Sequence, residues 1–339
     1  MPSQLIKLSD ATTTEKWQQI LADLITDPKE LLQLLELDPK EFDLNDRVLQ
    51  TFPLKVTRPY LSRIEKGNWH DPLLRQILPL DKELLDSGLS QIGDPLRESD
   101  YNPVPGLLHK YRGRVLLTVA PHCAIHCRYC FRRQFDYQAN SPSRQAWSDV
   151  IDYIAADQSI TEVIFSGGDP LAAGDRQLSW LTDQLETIPH LERLRIHTRT
   201  PIMIPERVTD SMIHWLTSTR LKPVVVLHCN HPNEIDRPVI EALSKLATNG
   251  ITLLNQSVLL KEVNDNSTIL SALSEKLFSA NVLPYYLHLL DLVPGVGHFE
   301  VSLAKGQQLI DEMQAVLPGY LVPRLVREEA GKVSKTRVA

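Results

Sequence analysis

Apolar positions recur at helical spacing through the first part of the chain and in short, strand-like runs through the rest. Trp17, Ile20, Leu21 and Leu24 fall on one helical face. A second helix is signalled where Asp27 can cap, Pro28 takes the first helical position and Glu30 stands three residues after the cap; Leu31, Leu34 and Leu35 continue its stripe. From Asp71 to Asn102 helical and turn text mix, and a soft boundary near Pro105 separates a helical region, 1–104, from a second region, 105–339. Beyond it come six β-branched or apolar runs: Arg114 to Ala120, Glu162 to Phe165, Leu194 to His197, Val224 to His228, Thr252 to Gln256 and Pro284 to Leu289. The segments between them, among them Trp180 to Leu185, Val208 to Leu216, Ile240 to Leu246 and Leu270 to Leu277, carry apolar residues at helical spacing. Repeated βα units with right-handed crossovers turn about one axis. The expected fold class is therefore α/β, a partial (β/α)6 TIM-like barrel with a helical N-terminal region and its function at the C-terminal strand ends. An open doubly wound sheet is the alternative.

Composition narrows the chemistry. At 339 residues, with a net charge of -6 and 23% charged residues, the chain lacks the basic surplus of a general nucleic-acid binder. Its start, MPSQLIKLSDATTTEKW, lacks a basic stretch followed by an apolar core, and no apolar run is long enough to cross a bilayer, so a cytoplasmic protein without a membrane partner is expected. Of four cysteines, three lie within eight residues and Cys229 stands apart, which suits reduced thiols serving a metal better than a disulfide framework; Cys229 reads as a small buried apolar residue.

The three clustered cysteines follow the first run as Cys123-Ala-Ile-His-Cys127-Arg-Tyr-Cys130, a CxxxCxxC spacing on a loop at a strand's C-terminal end. Three thiolates leave a [4Fe-4S] cubane one ligand short. The open iron can be chelated by the amino and carboxylate groups of S-adenosylmethionine, and an electron from the cluster then splits the sulfonium to give a 5'-deoxyadenosyl radical. A structural zinc site with His122 or His126 as fourth ligand is the competing reading. Tyr129, between the last two cysteines, could pack against adenine or simply fill the loop.

The stretch CAIHCRYCFRR, with SGGDPL from Ser166, HTRTP from His197, HPNEI from His231, LNQSVLLKEVNDN from Leu254 and LPYYLHLLD from Leu283, resembles the lysine 2,3-aminomutase family of radical S-adenosylmethionine enzymes from about His109 to Lys335. Within that family the chain is most similar to compact members tied to β-lysylation of elongation factor P. The resemblance implies pyridoxal 5'-phosphate as a second cofactor, attached through Lys335, with Lys332 competing for that role and a solvated basic tail as the plain reading of both. It implies Lys110, Tyr111 and Arg114 as phosphate holders. For S-adenosylmethionine it implies Gly167 and Gly168, where a missing side chain would admit the cofactor, together with Asp169, Arg199 and Gln256. Arg132 corresponds to the residue that takes the substrate α-carboxylate, and Asp291 and Glu328 to the acids that take the ε-ammonium, with Glu328 standing where free-lysine enzymes carry Asp. The implied reaction is L-lysine to (R)-β-lysine: hydrogen leaves Cβ, nitrogen moves from Cα to Cβ, and hydrogen returns to Cα. Implied partners are an electron donor such as flavodoxin or ferredoxin, and a separate ligase that attaches β-lysine to elongation factor P. Two rivals stand beside this reading. One is a mutase supplying free β-lysine, against which the tail of four residues after Lys335 speaks. The other is a non-catalytic iron-sulfur sensor or scaffold, which leaves the glycine turn, Arg132 and the acidic pair unexplained.

Overall fold

Strand residues alternate between two faces, and in this chain the two faces have opposite chemistry. The computed structural model describes residues 15–41, 46–84, 94, 96–137, 140 and 146–339, so the first fourteen residues of the expected helical region lie outside the described residues. Nine strands form one sheet in sequential order: β1 (Leu107–Tyr111), β2 (Arg114–Ala120), β3 (Glu162–Gly167), β4 (Arg193–Thr198), β5 (Lys222–Leu227), β6 (Thr252–Val258), β7 (Leu283–His288), β8 (Arg324–Arg327) and β9 (Thr336–Arg337). β2 to β8 are parallel, whereas β1 and β9 add antiparallel at the two ends. Helices Ala146–Ala156, Asp175–Glu186, Asp210–Thr217, Arg237–Thr248, Ser267–Ser279 and Leu303–Val316 make the crossovers. The strand order never reverses, which a doubly wound sheet requires. This is the partial barrel, open between β1 and β9.

The first expected strand, Arg114 to Ala120, matches β2 at both ends, while the others shift or lengthen by one or two residues. β1, β8 and β9 are additions. At five, four and two residues, and with polar text such as HKY and TR, they carry too little periodicity to read.

On β4 the buried positions Leu194, Ile196 and Thr198 alternate with partly exposed Arg193, Arg195 and His197. Leu194 and Ile196 join Leu181, Leu185, Met212 and Leu216 of the outer helices in the main apolar cluster. The inner face instead carries charge, as where Arg195 pairs with Glu162 of β3. A closed barrel fills its interior with branched apolar side chains. This open one keeps a polar interior.

The N-terminal helices seal one side. The helix Pro28–Leu34 starts as expected, with Asp27 accepting from Lys29 N at 2.9 Å and Pro28 in the first turn. Glu30 does not close the cap; it meets Arg58 at 3.0 Å. Leu31 and Leu35 are buried and Leu34 sits at the margin, 36% exposed. Trp17 lies under the Arg207 guanidinium, 4.4 Å from its ring centre, and shares one apolar cluster with the helices around the barrel. Thr57 Oγ1 donates to Met203 O at 2.8 Å, fixing the N-terminal region onto the segment after β4.

Candidate active site

The loop after β2 carries the three cysteines, and the N-terminal region grips it. His126 N donates to Lys55 O at 3.0 Å and Arg128 N to Gln76 O at 2.9 Å. Arg128 is fully buried and makes two bonds to Glu83, at 2.8 and 2.6 Å, while Arg133 reaches the same carboxylate at 2.8 Å. Each of these guanidiniums also lies 4.8 Å from the centre of the Phe52 ring, which stacks on His126. Removing one partner from such a buried group costs about 3–5 kcal/mol, because the other charge is stranded.

Burial pushes the Cys123 thiol well up and the Cys130 thiol to about 11. Thiols in that condition keep their protons until a cation binds the sulfur and the proton leaves to solvent, and a cluster iron would be such a cation. His126 Nδ1 donates to Pro53 O at 2.7 Å, and burial holds the ring near a pKa of about 4. The donor set fits the cubane, three thiols on one loop.

Gly167 and Gly168 end β3 against this loop. A Cβ on Gly168 would lie 2.6 Å from His122 O and 2.8 Å from His122 N; on Gly167, whose φ is +117°, it would lie 2.6 Å from Ala120 O. Two hydrogen bonds cross the same contact, Gly168 N to Ala120 O at 2.8 Å and Asp169 N to His122 O at 2.9 Å. The close approach that requires glycine is thus to the protein's own backbone. Asp169 follows in the same turn and caps the short helix after it. Its Oδ1 accepts from Thr198 Oγ1 at 2.7 Å and Leu171 N at 3.0 Å, and its Oδ2 from Arg199 N at 2.7 Å and Thr200 N at 3.0 Å. Its work is to tie the β3 and β4 loops together.

Tyr129 is buried, edge-on to Phe299, and its hydroxyl accepts from Arg199 Nη1 and Asn230 Nδ2, both at 2.7 Å. Arg199 turns towards the cysteine loop, with Nη1 2.7 Å from Cys127 Sγ, and its buried Nε has no partner among the described residues. Gln256 Nε2 lies 2.7 Å from His228 Nε2 on the inner face.

At the open side of the barrel one carboxylate gathers three donors. Lys110 Nζ and Tyr111 Oη, both from β1, reach Glu328 Oε1 at 2.9 Å, and Lys335 Nζ reaches Oε2. Two expected phosphate holders therefore meet an expected substrate acid, and the contact spans the gap between β1 and β8. Burial alone would raise the Glu328 pKa, but Lys335 and Lys110 outweigh it and hold the carboxyl well below its usual range. Beside it burial and the Glu328 charge push Asp291 up to about 7. Arg114 lies 4.8 Å from the Tyr111 ring centre and forms no ion pair among the described residues, which leaves a cation for an anionic group. Lys332 is exposed on the turn around Gly331, whereas Lys335 is drawn inward to Glu328.

Arg132 does not wait with an open fork. Nε and Nη2 bind Glu98 at 3.0 and 2.6 Å, and Nη1 donates to Ser166 Oγ at 3.1 Å and Gly167 O at 3.3 Å. Glu98 was not legible, since it stands in a short turn of mixed text and meets Arg132 only in the folded chain. His197, His228 and His288 were also missed. Burial holds all three below the usual imidazole range, His228 at about 3, so they are neutral around the inner face. The Nε2 atoms of His197 and His288 are buried without a partner among the described residues. Their signal was a polar residue closing an apolar run, at or just past the C-terminal ends of β4, β5 and β7.

The profile of the radical SAM superfamily matches residues 117–270. The chain is 50% identical over 326 residues to the L-lysine 2,3-aminomutase of Haemophilus influenzae, covering 96% of each chain. It is 49% identical over 324 residues to the L-lysine 2,3-aminomutase of Escherichia coli, covering 95% of this chain and 94% of that one. Against the L-lysine 2,3-aminomutase of Clostridium subterminale the identity is 35% over 333 residues, 98% of this chain and 79% of that one.

The glycine contact makes a direct prediction. Gly168→Ala is expected to lower the free energy of unfolding by about 1–3 kcal/mol, as an overpacked site does. Gly319→Ala, where an added Cβ meets nothing within 4 Å, is expected to change it by less than ~0.5 kcal/mol. Urea titration of both variants checks this, and equal stability would contradict the backbone contact as the reason for Gly168.

Proposed function

Because this chain belongs to the L-lysine 2,3-aminomutase family within the radical S-adenosylmethionine superfamily, we propose that it isomerises L-lysine to (R)-β-lysine with a [4Fe-4S] cluster on Cys123, Cys127 and Cys130 and with pyridoxal 5'-phosphate on Lys335. The observation that carries the substrate reading is an ammonium group already seated on Glu328, that of Lys335 itself, with Asp291 beside it. An enclosed carboxylate that accepts one primary ammonium can accept another. When bound, the cluster supplies the electron that splits the sulfonium, and the pyridoxal ring spreads the unpaired spin while the nitrogen moves.

The chain's own residues supply position and charge. Lys335 would hold the pyridoxal group through its nitrogen, and once drawn away from Glu328 it would leave that carboxylate with capacity for the substrate ε-ammonium. At the other end Arg132 offers the α-carboxylate a planar, two-donor edge once Glu98 yields it. Lys110 and Arg114 bring positive charge to the phosphate side. The neutral imidazoles of His197, His228 and His288 add hydrogen-bonding atoms without adding charge, so the fixed charges alone select the ends of the substrate. A glutamate side chain would place a third carboxylate against Asp291 and Glu328, a repulsive arrangement that excludes it.

The use of the product belongs to the same proposal. The near-complete mutual coverage with the compact relatives, 96% of the Haemophilus influenzae protein against 79% of the clostridial one, supports the compact subgroup and with it a β-lysine destined, through a separate ligase, for elongation factor P. An electron carrier such as flavodoxin or ferredoxin completes the set of partners. Among the described residues no helix is long and apolar enough to cross a membrane, and a cytoplasmic setting is proposed with the partners.

Anaerobic protein with reductant, S-adenosylmethionine, pyridoxal phosphate and L-lysine is expected to form β-lysine; no product with both cofactors and the cluster bound would reject the mutase. In the same preparation without L-lysine, borohydride is expected to fix the pyridoxal group on residue 335, as read by peptide mass. Lys335→Ala should lose that adduct and Lys332→Ala should keep it, and the reverse pattern would move the attachment to Lys332.

Asp291 predicts a pH dependence. Its carboxyl is protonated below about 7 and anionic above, and only the anion attracts an ammonium, so kcat/KM for lysine should rise with pH through about 7. Asp291→Asn removes a charged hydrogen bond worth roughly 1.5–3 kcal/mol and is expected to lower kcat/KM about tenfold to a hundredfold. The inflection should vanish with it. A variant that keeps the inflection would assign it to another group.

A further inference from the structure

Arg199 is buried at 5% exposure, and its guanidinium is fixed from several sides. Nη1 donates to Cys127 Sγ and Tyr129 Oη, both at 2.7 Å, while Nη2 donates to Gln76 Oε1 at 2.7 Å and Glu234 Oε2 at 2.9 Å. Its own backbone N–H is held by Asp169 at 2.7 Å. Glu234, fully buried, spends Oε1 on the backbone N–H groups of Asn230 and His231, at 3.0 and 3.1 Å, and turns Oε2 to the arginine. The pair is thus an oriented dipole with its cation on the sulfur and its anion on a different nitrogen of the same guanidinium.

We propose that Arg199 sets the reduction potential of the iron-sulfur cluster, acting as a fixed cationic donor to the Cys127 sulfur, with Glu234 as its counterweight. The inference rests on the reading of Cys127 as a cluster ligand. Reduction adds one electron to the cluster, and part of that charge falls on the thiolate sulfurs. A donor N–H and a positive charge at a sulfur stabilise the reduced form more than the oxidised form, and both act strongly where little water screens them. An anion near the same donor opposes this. Arg199 is a positioning and tuning residue here, acting on the cluster through the ligand sulfur, and its rigidity fits the task, because a mobile guanidinium would leave the potential undefined.

The test is an anaerobic redox titration of the reconstituted chain without S-adenosylmethionine, followed by the electron paramagnetic resonance of the reduced cluster, with iron counted in every sample. Arg199→Gln is expected to shift the reduction equilibrium at least tenfold towards the oxidised form, a midpoint lower by about 59 mV or more for one electron. Arg199→Lys, which keeps the charge and loses the planar fork, should shift it less. Glu234→Gln should shift the midpoint upwards. Opposite shifts in the arginine and glutamate variants support the inference. Unchanged midpoints in variants that hold a full cluster, or shifts of one sign in both, would overturn it, as would loss of the cluster from all three variants while the parent retains it, which assigns a purely structural role. A parent without iron would instead defeat the reading of the cysteines, and the inference with it.

Discussion

A charge taken out of water needs an opposite charge at hand, and that constraint organises this molecule. The inner face of the open sheet and the cysteine loop carry arginines and lysines that no apolar packing could accommodate. Besides Glu162, which pairs with Arg195, four carboxylates answer them: Glu83 for Arg128 and Arg133, Glu98 for Arg132, Glu234 for Arg199, and Glu328 for Lys110 and Lys335. Two of the four, Glu83 and Glu98, come from the N-terminal region and match arginines on the cysteine loop. The region that reads as an accessory helical segment therefore holds the loop on which the chemistry depends. Glu328 does the corresponding work at the other side, joining β1 to β8 across the gap that the sheet leaves open.

The same pairs anticipate a ligand. A diamino acid brings a carboxylate and two nitrogens, and the chain already presents a carboxylate to Arg132 and an ammonium to Glu328. On the proposed reading a substrate carboxylate would compete with Glu98 for Arg132, and a substrate ammonium would take the place of Lys335 at Glu328. Specificity follows from the same arrangement, since a ligand with the wrong sign at one end leaves a buried group unpaired.

What could be read in the chain beforehand was whatever depends on local pattern. Six strands and their helices follow from periodicity, and the cysteine loop from spacing. The family is legible because its motifs are short, ordered and contiguous. The unread parts depend on contacts between distant segments. Glu98 lies 34 positions before Arg132 in turn-rich text, and nothing near it announces a partner. Gly168 was visible as a glycine, but its cause, the backbone of His122, exists only after β2 and β3 pair. Asp169 and Tyr129 show the same limit: their hydrogen bonds to Thr198, Arg199 and Asn230 join segments far apart in the chain. The three inner histidines were hidden because a histidine at a strand end has no pattern of its own; their common level on the sheet emerges from register.

Three thiols that leave one iron of a cubane open to a sulfonium ligand are the centre of the proposed chemistry. The measurement closest to it is the electron paramagnetic resonance of the reduced, anaerobically purified chain with and without S-adenosylmethionine, alongside its iron and sulfide content. One [4Fe-4S] cluster per chain and a spectrum that changes when S-adenosylmethionine binds are the expected result. Zinc in place of iron, or a cluster whose spectrum the ligand leaves unmoved, would contradict it.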